Sequence, residues 1–173
     1  MERKGLDISS YQKGINFDEI KSKVDFLILR AGFTGWGGDG TNKNKDSCFE
    51  DFYSKSKARG IPVGAYWYSC ANTYEKGKAE AEYLYNNCLK GKQFEYPIYM
   101  DVEEDRHQQV GKSRMADAIK GFCEYLENKG YYVGIYANSN YFNNFIDTAK
   151  LSMYDKWLAV WTSNKPSFKY GDY

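Results

Sequence analysis

Short strand-like runs alternate with helical segments along the chain, and this alternation limits its possible folds more than any other feature. Leu6 to Ser9, Phe26 to Ala31, Pro62 to Tyr68, Pro97 to Glu103, Tyr132 to Ala137 and Trp157 to Trp161 read as strands. Between them lie helical segments: Phe17 to Lys23 behind an Asn16 cap, and a segment that Ser47 could cap, running to Arg59 before Gly60. Then come a helix from Thr73 to about Leu89, a long one from Ser113 to Lys129 stopped by Gly130, and a shorter piece near Tyr141 to Ile146. Strand and helix repeated this regularly predict a parallel sheet with right-handed crossovers. No internal repeat or low-complexity linker breaks the pattern, so residues 1–173 are expected to form one domain. That length buries a substantial core yet is short for a complete eight-stranded α/β barrel.

The chain has 24 Lys and Arg against 23 Asp and Glu, with no basic run, which argues against a nucleic-acid or polybasic membrane footprint. No signal-peptide apolar region and no membrane-spanning stretch is present, so a soluble domain is expected. Seventeen tyrosines and four tryptophans supply rings with a polar edge, which suit sugar recognition. Cys48, Cys70, Cys88 and Cys123 are widely spaced without a CxxC pair and are expected to be buried free thiols, with disulfides as the alternative. The glycine-rich stretch Gly32 to Gly40, with its GWGGDG segment, lacks the GxGxxG and GxxxxGK patterns of phosphate loops and reads better as a mobile loop beside a site.

The fourth strand candidate ends in Asp101-Val102-Glu103. Strand side chains alternate in direction, so both carboxylates point to one side at the end of a buried strand. Desolvation and mutual repulsion should then keep one of them protonated near neutral pH beside an ionised partner. A strand running into an acidic loop would look the same in isolation. The other strand ends decide: Asp7, Arg30, Tyr66 with Tyr68, Tyr136 and Trp161 fall at the same carboxyl-terminal end, where parallel α/β folds gather their chemistry.

Three carboxylates, a cation and several aromatic edges suit acid/base cleavage of a glycosidic bond. With His107 the only histidine, zinc chemistry and Ser-His-Asp or Cys-His catalysis are disfavoured; a hard cation such as Mg²⁺ held by the carboxylates stays open as a rival use.

Six segments in order, LDISSYQ from Leu6, FLILRAG with Arg30, PVGAYWY with Tyr66 and Tyr68, MDVE with Asp101 and Glu103, VGIYAN with Tyr136, and WLAVW ending at Trp161, together resemble the glycoside hydrolase family 25 lysozymes. The resemblance implies a modified (β/α) TIM-like barrel that cleaves the β-1,4 bond between N-acetylmuramic acid and N-acetylglucosamine in bacterial peptidoglycan, with no cofactor and no metal. It implies Glu103 as general acid, Asp101 as the carboxylate beside it and Asp7 at the floor of the site. Tyr66, Tyr68, Tyr136 and Trp161 would line the sugar groove. Arg30 falls where a basic residue could meet a substrate carboxylate or hold Asp101 ionised.

Carboxylates at i and i+2 on one strand resemble a substrate-assisted, retaining arrangement, with direct attack by a carboxylate as the other form. These lysozymes continue past the sixth strand and bring a further acidic residue to the site, a role that Asp172 does not match. Either the last strands are expected to be missing, or the chain is a divergent form with an open barrel, which would leave a strand edge open to another chain. A monomer acting on the wall outside the cell is expected, and a non-catalytic wall-glycan binder on the same barrel is the alternative.

Overall fold

One curled sheet carries the site, and in the computed structural model, which describes residues 3–35 and 41–161, it contains seven strands. They are β1 (Gly5–Ile8), β2 (Phe26–Thr34), β3 (Lys43–Lys45), β4 (Val63–Tyr68), β5 (Ile98–Asp101), β6 (Val133–Asn138) and β7 (Asp155–Ala159). Six of them pair in parallel in the order β1-β2-β4-β5-β6-β7, while β3 pairs antiparallel with β2. The helices α1 (Phe17–Lys21), α2 (Phe49–Ala58), α3 (Tyr74–Leu84), α4 (Lys112–Glu127) and α5 (Ser139–Asn144) fall between strands, as the alternation predicts. No helix of the described residues is long and apolar enough to cross a membrane.

Each strand sorts its residues by alternate direction. Leu27, Leu29, Val63, Ala65, Trp67, Ile98, Met100, Val133 and Ile135 point outward and are buried to 2% exposure or less, forming the core beneath the helices. Each large one contributes about 1.5–3 kcal/mol by leaving water. The inner face follows a different rule. Gly5 pairs with Phe26, Gly64 with Ile28 and Gly134 with Tyr99, so a glycine faces a bulky neighbour at the same level of the adjacent strand. A Cβ at Gly5 would lie 2.2 Å from the Phe26 ring, and one at Gly134 would lie 2.5 Å from Tyr99. The bare backbone lets the sheet curl around large rings. Its two edges come close enough that Gly5, Leu6 and Asp7 of β1 line one cavity with Lys156, Trp157 and Leu158 of β7.

Two helix contacts and one buried carboxylate fix the outer layer. A Cβ at Gly77 of α3 would sit 1.9 Å from the Ala118 carbonyl oxygen, and one at Gly121 of α4 would sit 2.1 Å from that of Tyr74, so the two helices meet backbone to backbone. From α3, buried Glu80 accepts hydrogen bonds from the hydroxyls of Thr34 (2.6 Å) and Ser69 (2.5 Å) and the Cys70 amide (3.0 Å). Burial pushes its carboxyl up to about 7, and the three donors, which favour ionisation, offset part of that.

Several local expectations need correction. Helix α2 starts at Phe49, and its entry is held by Asp46, whose Oδ1 accepts from the Cys48 amide at 2.8 Å, instead of by Ser47. Helix α4 begins behind Gly111 at φ +88°; Ser113 lies inside it and accepts a hydrogen bond from Lys150. The helix after Thr73 stays α-helical to Leu84 and finishes in a π-helical turn, Tyr85–Leu89. The fourth parallel strand ends at Asp101, leaving Glu103 in the following loop. Residues 36–40 of the glycine-rich stretch and Asp172 lie outside the described residues. The four cysteines are free and buried.

At an ordinary helical position Gly→Ala gains about 1 kcal/mol. Gly77→Ala should instead lose about 1–3 kcal/mol in urea unfolding, because its methyl group forces α3 and α4 apart. A stabilised variant would contradict the backbone contact.

Candidate active site

A groove at the carboxyl-terminal end of the sheet encloses about 190 Å³ and is lined by Asp7, Tyr66, Asp101, Glu103, Tyr136, Trp157 and Trp161. Five strands, β1, β4, β5, β6 and β7, and the loops after β5 and β7 thus bring these residues together. The cavity between β1 and β7 is larger, at about 350 Å³, but among the described residues Asp7 is the only acid that lines it. The acidic cluster therefore lies in the smaller groove.

Asp101, the last residue of β5, is 3% exposed. Its carbonyl accepts from the Ser69 amide at 3.1 Å, while the Val102 amide reaches the Tyr136 carbonyl at 2.9 Å and carries pairing one residue past the strand. Glu103 is anchored from the other side, where the Tyr141 hydroxyl donates to its carbonyl at 3.0 Å. Both carboxylates therefore stand on a fixed backbone. Burial raises the proton affinity of Asp101 well above the usual carboxylate range, and the charges of Glu103 and Asp7 raise it further against a weaker opposing pull from Arg30. Among the described residues its buried Oδ1 has no hydrogen-bond donor, which also disfavours ionisation.

Asp7 and Glu103 open to solvent through the groove, yet their carboxyl ends are partly desolvated and both are shifted upward. The larger upward push thus falls on Asp101 and not on Glu103, because Asp101 is the buried member and lies in the field of both others. Tyr66 and Tyr136 are half-buried, and burial raises both phenols, so they stay protonated donors.

Trp157 is a groove residue that the sequence pattern alone does not mark, although strand alternation places it on the same side as Trp161. It is the hub of the aromatic wall, with its ring 4.6 Å from Tyr136, 5.3 Å from Tyr99 and 6.4 Å from Tyr66. Trp161 lines the rim at 87% exposure.

Two expected groove residues are engaged elsewhere. The Tyr68 hydroxyl donates to Glu104 at 2.9 Å, and Glu104 also accepts from Arg106. Arg30 is not the cation paired with Asp101: its Nε donates to Asp46 at 2.7 Å and an Nη to the Ser10 hydroxyl at 2.9 Å. Asp46 also accepts from the Ser10 amide at 3.1 Å, so this buried pair ties β2 to the loop after β1. A bulge where Ala31 has no partner on β4 follows Arg30 directly. His107 is buried in a 3₁₀ segment away from the groove; burial pushes its imidazole down to about 4, keeping it neutral. Burial pushes the Cys70 thiol up to about 12, which removes it as a nucleophile. No group of three or more His, Cys, Asp or Glu able to hold a metal occurs among the described residues.

Comparison with known proteins gives one consistent answer. A family model described as "Glycosyl hydrolases family 25" matches residues 6–172. An autolytic lysozyme of Clostridium acetobutylicum is 28% identical over 179 residues, covering 98% of this chain and 50% of that protein. The chain thus spans about half the length of this relative. Among solved structures, the CTP1L endolysin superposes with a TM-score of 0.83 at 21% identity, covering 99% of this chain and 57% of that one. The modular autolysin LytC of Streptococcus pneumoniae, solved with a synthetic peptidoglycan ligand, gives 0.78 at 20% identity over 94% of this chain and 38% of that one. Both structures share the fold.

Arg30→Met should lose about 3–5 kcal/mol in urea unfolding, because it leaves the buried Asp46 carboxylate without its cation. A variant as stable as the parent would show that the pair does not hold the loop.

Proposed function

This chain belongs to glycosyl hydrolase family 25, and we propose that its barrel is a muramidase, cleaving the β-1,4 bond between N-acetylmuramic acid and N-acetylglucosamine in bacterial peptidoglycan. The observation that carries this reading is the placement of Asp101 and Glu103: two anchored carboxylates in one groove, one buried and short of a donor, the other open to an incoming oxygen. The proposed setting is the bacterial wall, outside the cytoplasmic membrane.

Glu103 carries the reacting proton. Its upward shift keeps it protonated to higher pH than an ordinary glutamic acid, and its exposure lets it donate to the glycosidic oxygen as the C–O bond breaks. Asp101 is the partner of the substrate's 2-acetamido group. An N–H brought to this carboxyl supplies the donor that the protein does not, which favours its ionised form and leaves the proton to Glu103.

The acetamide, polarised by Asp101, attacks the anomeric carbon through its carbonyl oxygen while the leaving sugar departs with the Glu103 proton. A water molecule deprotonated by the Glu103 carboxylate then opens the cyclic intermediate. Each displacement inverts the anomeric centre, so the product keeps the β configuration. Asp7 adds a third carboxyl group on the floor of the groove, and the Tyr66 and Tyr136 phenols remain donors to sugar oxygens. Trp157 offers the sugar ring an apolar wall.

Glu103→Gln should slow clearing of a bacterial wall suspension by roughly a hundredfold or more, since it removes the proton donor and later base. The parent's rate should fall on the alkaline side, because Glu103 loses its proton as pH rises through its raised pKa. Equal clearing by both proteins would overturn the assignment of Glu103, and binding without clearing by either would identify a wall-glycan binder. Initial release of the α-anomer, followed by NMR, would exclude the retaining course.

A further inference from the structure

An exposed aromatic platform lies beyond the groove, on the same end of the barrel. Tyr11 is 73% exposed, a costly position for a large ring. It sits in the 3₁₀ turn Ser10–Gln12 that follows β1, four residues after Asp7 in the sequence and therefore beside the carboxyl-terminal face. That turn is rigid. The Ser9 hydroxyl accepts from the Tyr11 amide at 3.3 Å, and the Gln12 side chain accepts from the Ser9 amide at 2.8 Å.

Beneath the ring lies a cation that cannot move away. The Arg30 guanidinium carbon is 5.0 Å from the centre of the Tyr11 ring and 5.4 Å from that of Phe33. Asp46 and Ser10 hold the guanidinium in place. Arg30 also stands opposite Tyr66 in the β2–β4 register, and Tyr66 lines the groove. Arg30 therefore links the strand next to the groove residue Tyr66 to the turn that carries Tyr11.

We propose that Tyr11, backed by Arg30, is a carbohydrate subsite that takes a pyranose ring of the glycan strand beyond the two sugars flanking the scissile bond. A pyranose presents an apolar C–H face that matches an aromatic ring, and this ring is already ordered, so little entropy is lost when a sugar stacks on it. This proposal rests on the muramidase reading and adds glycan length to it. A purely structural role, in which Tyr11 covers the Arg30–Asp46 pair, makes a different forecast: its loss would lower stability and affect every substrate alike.

The test compares parent, Tyr11→Ala and Tyr11→Trp on defined peptidoglycan oligomers from disaccharide to octasaccharide, with thermal unfolding measured alongside. Tyr11→Ala should lose roughly tenfold in kcat/KM on the longest oligomer, through KM, while the shortest is cleaved unchanged and Tyr11→Trp is restored. Equal losses at every length, or no loss at any, would overturn the subsite. Binding of the octasaccharide to Glu103→Gln, with and without Tyr11→Ala, separates this proposal from the muramidase reading. Tyr11-dependent binding by a parent that cleaves nothing would leave the subsite standing and sink the muramidase reading. Cleavage by the parent with no effect of Tyr11 would do the reverse, and neither binding nor cleavage would overturn both.

Discussion

Three polar groups that reach into the barrel are held there by apolar neighbours in sequence that point the other way. Asp101 lies between Met100 and Val102, Arg30 between Leu29 and Ala31, and Tyr136 between Ile135 and Ala137, all six neighbours fully buried against the helical layer. Burial of the larger ones, at about 1.5–3 kcal/mol each, sets the register of β2, β5 and β6, because a slip by one residue would expose them. The inner face inherits its composition from that choice. Glycines at the level of Phe26, Ile28 and Tyr99 then let the sheet curl until carboxylates from β1 and the end of β5 share one groove.

The forced convergence has an electrostatic consequence that decides how the site works. Asp101 is inserted by its neighbours into a place with no donor for one oxygen, and with two further carboxylates acting on it. The nearest strong cation is already committed to Asp46. The upward shifts of Asp101 and Glu103 favour a retained proton in the cluster, and on the proposed reading the proton on Glu103 is the reagent that glycoside cleavage needs first. Arg30 serves the site indirectly: it anchors the loop after β1 and stands under Tyr11, while only weakly opposing the upward shift of Asp101.

What could be read from sequence followed local periodicity. Six parallel strands, the Asn16 and Thr73 caps and the turns at Gly60 and Gly130 all depend on residues within a few positions of each other. Strand alternation likewise located Asp101 and Glu103, although the strand stops at Asp101. What escaped depends on partners distant in sequence. Asp46 meets Arg30 across sixteen positions, and Tyr141 reaches the Glu103 carbonyl across thirty-eight. Strand β3, Lys43-Asn44-Lys45, has no apolar alternation and exists because it pairs with β2. Placing the raised proton affinity on Asp101 required knowing how deeply each acid is buried, which spacing alone does not reveal.

The central claim is that the groove shares its protons unequally, with burial placing the greatest affinity at Asp101. Carbon-13 NMR titration of the Asp and Glu carboxyl groups, assigned by substituting each site acid in turn, measures this directly. The account predicts that the Asp101 signal titrates well above the usual value of about 4, and that Glu103→Gln moves it back toward that value. An Asp101 that titrates at the ordinary value and ignores the loss of Glu103 would contradict it.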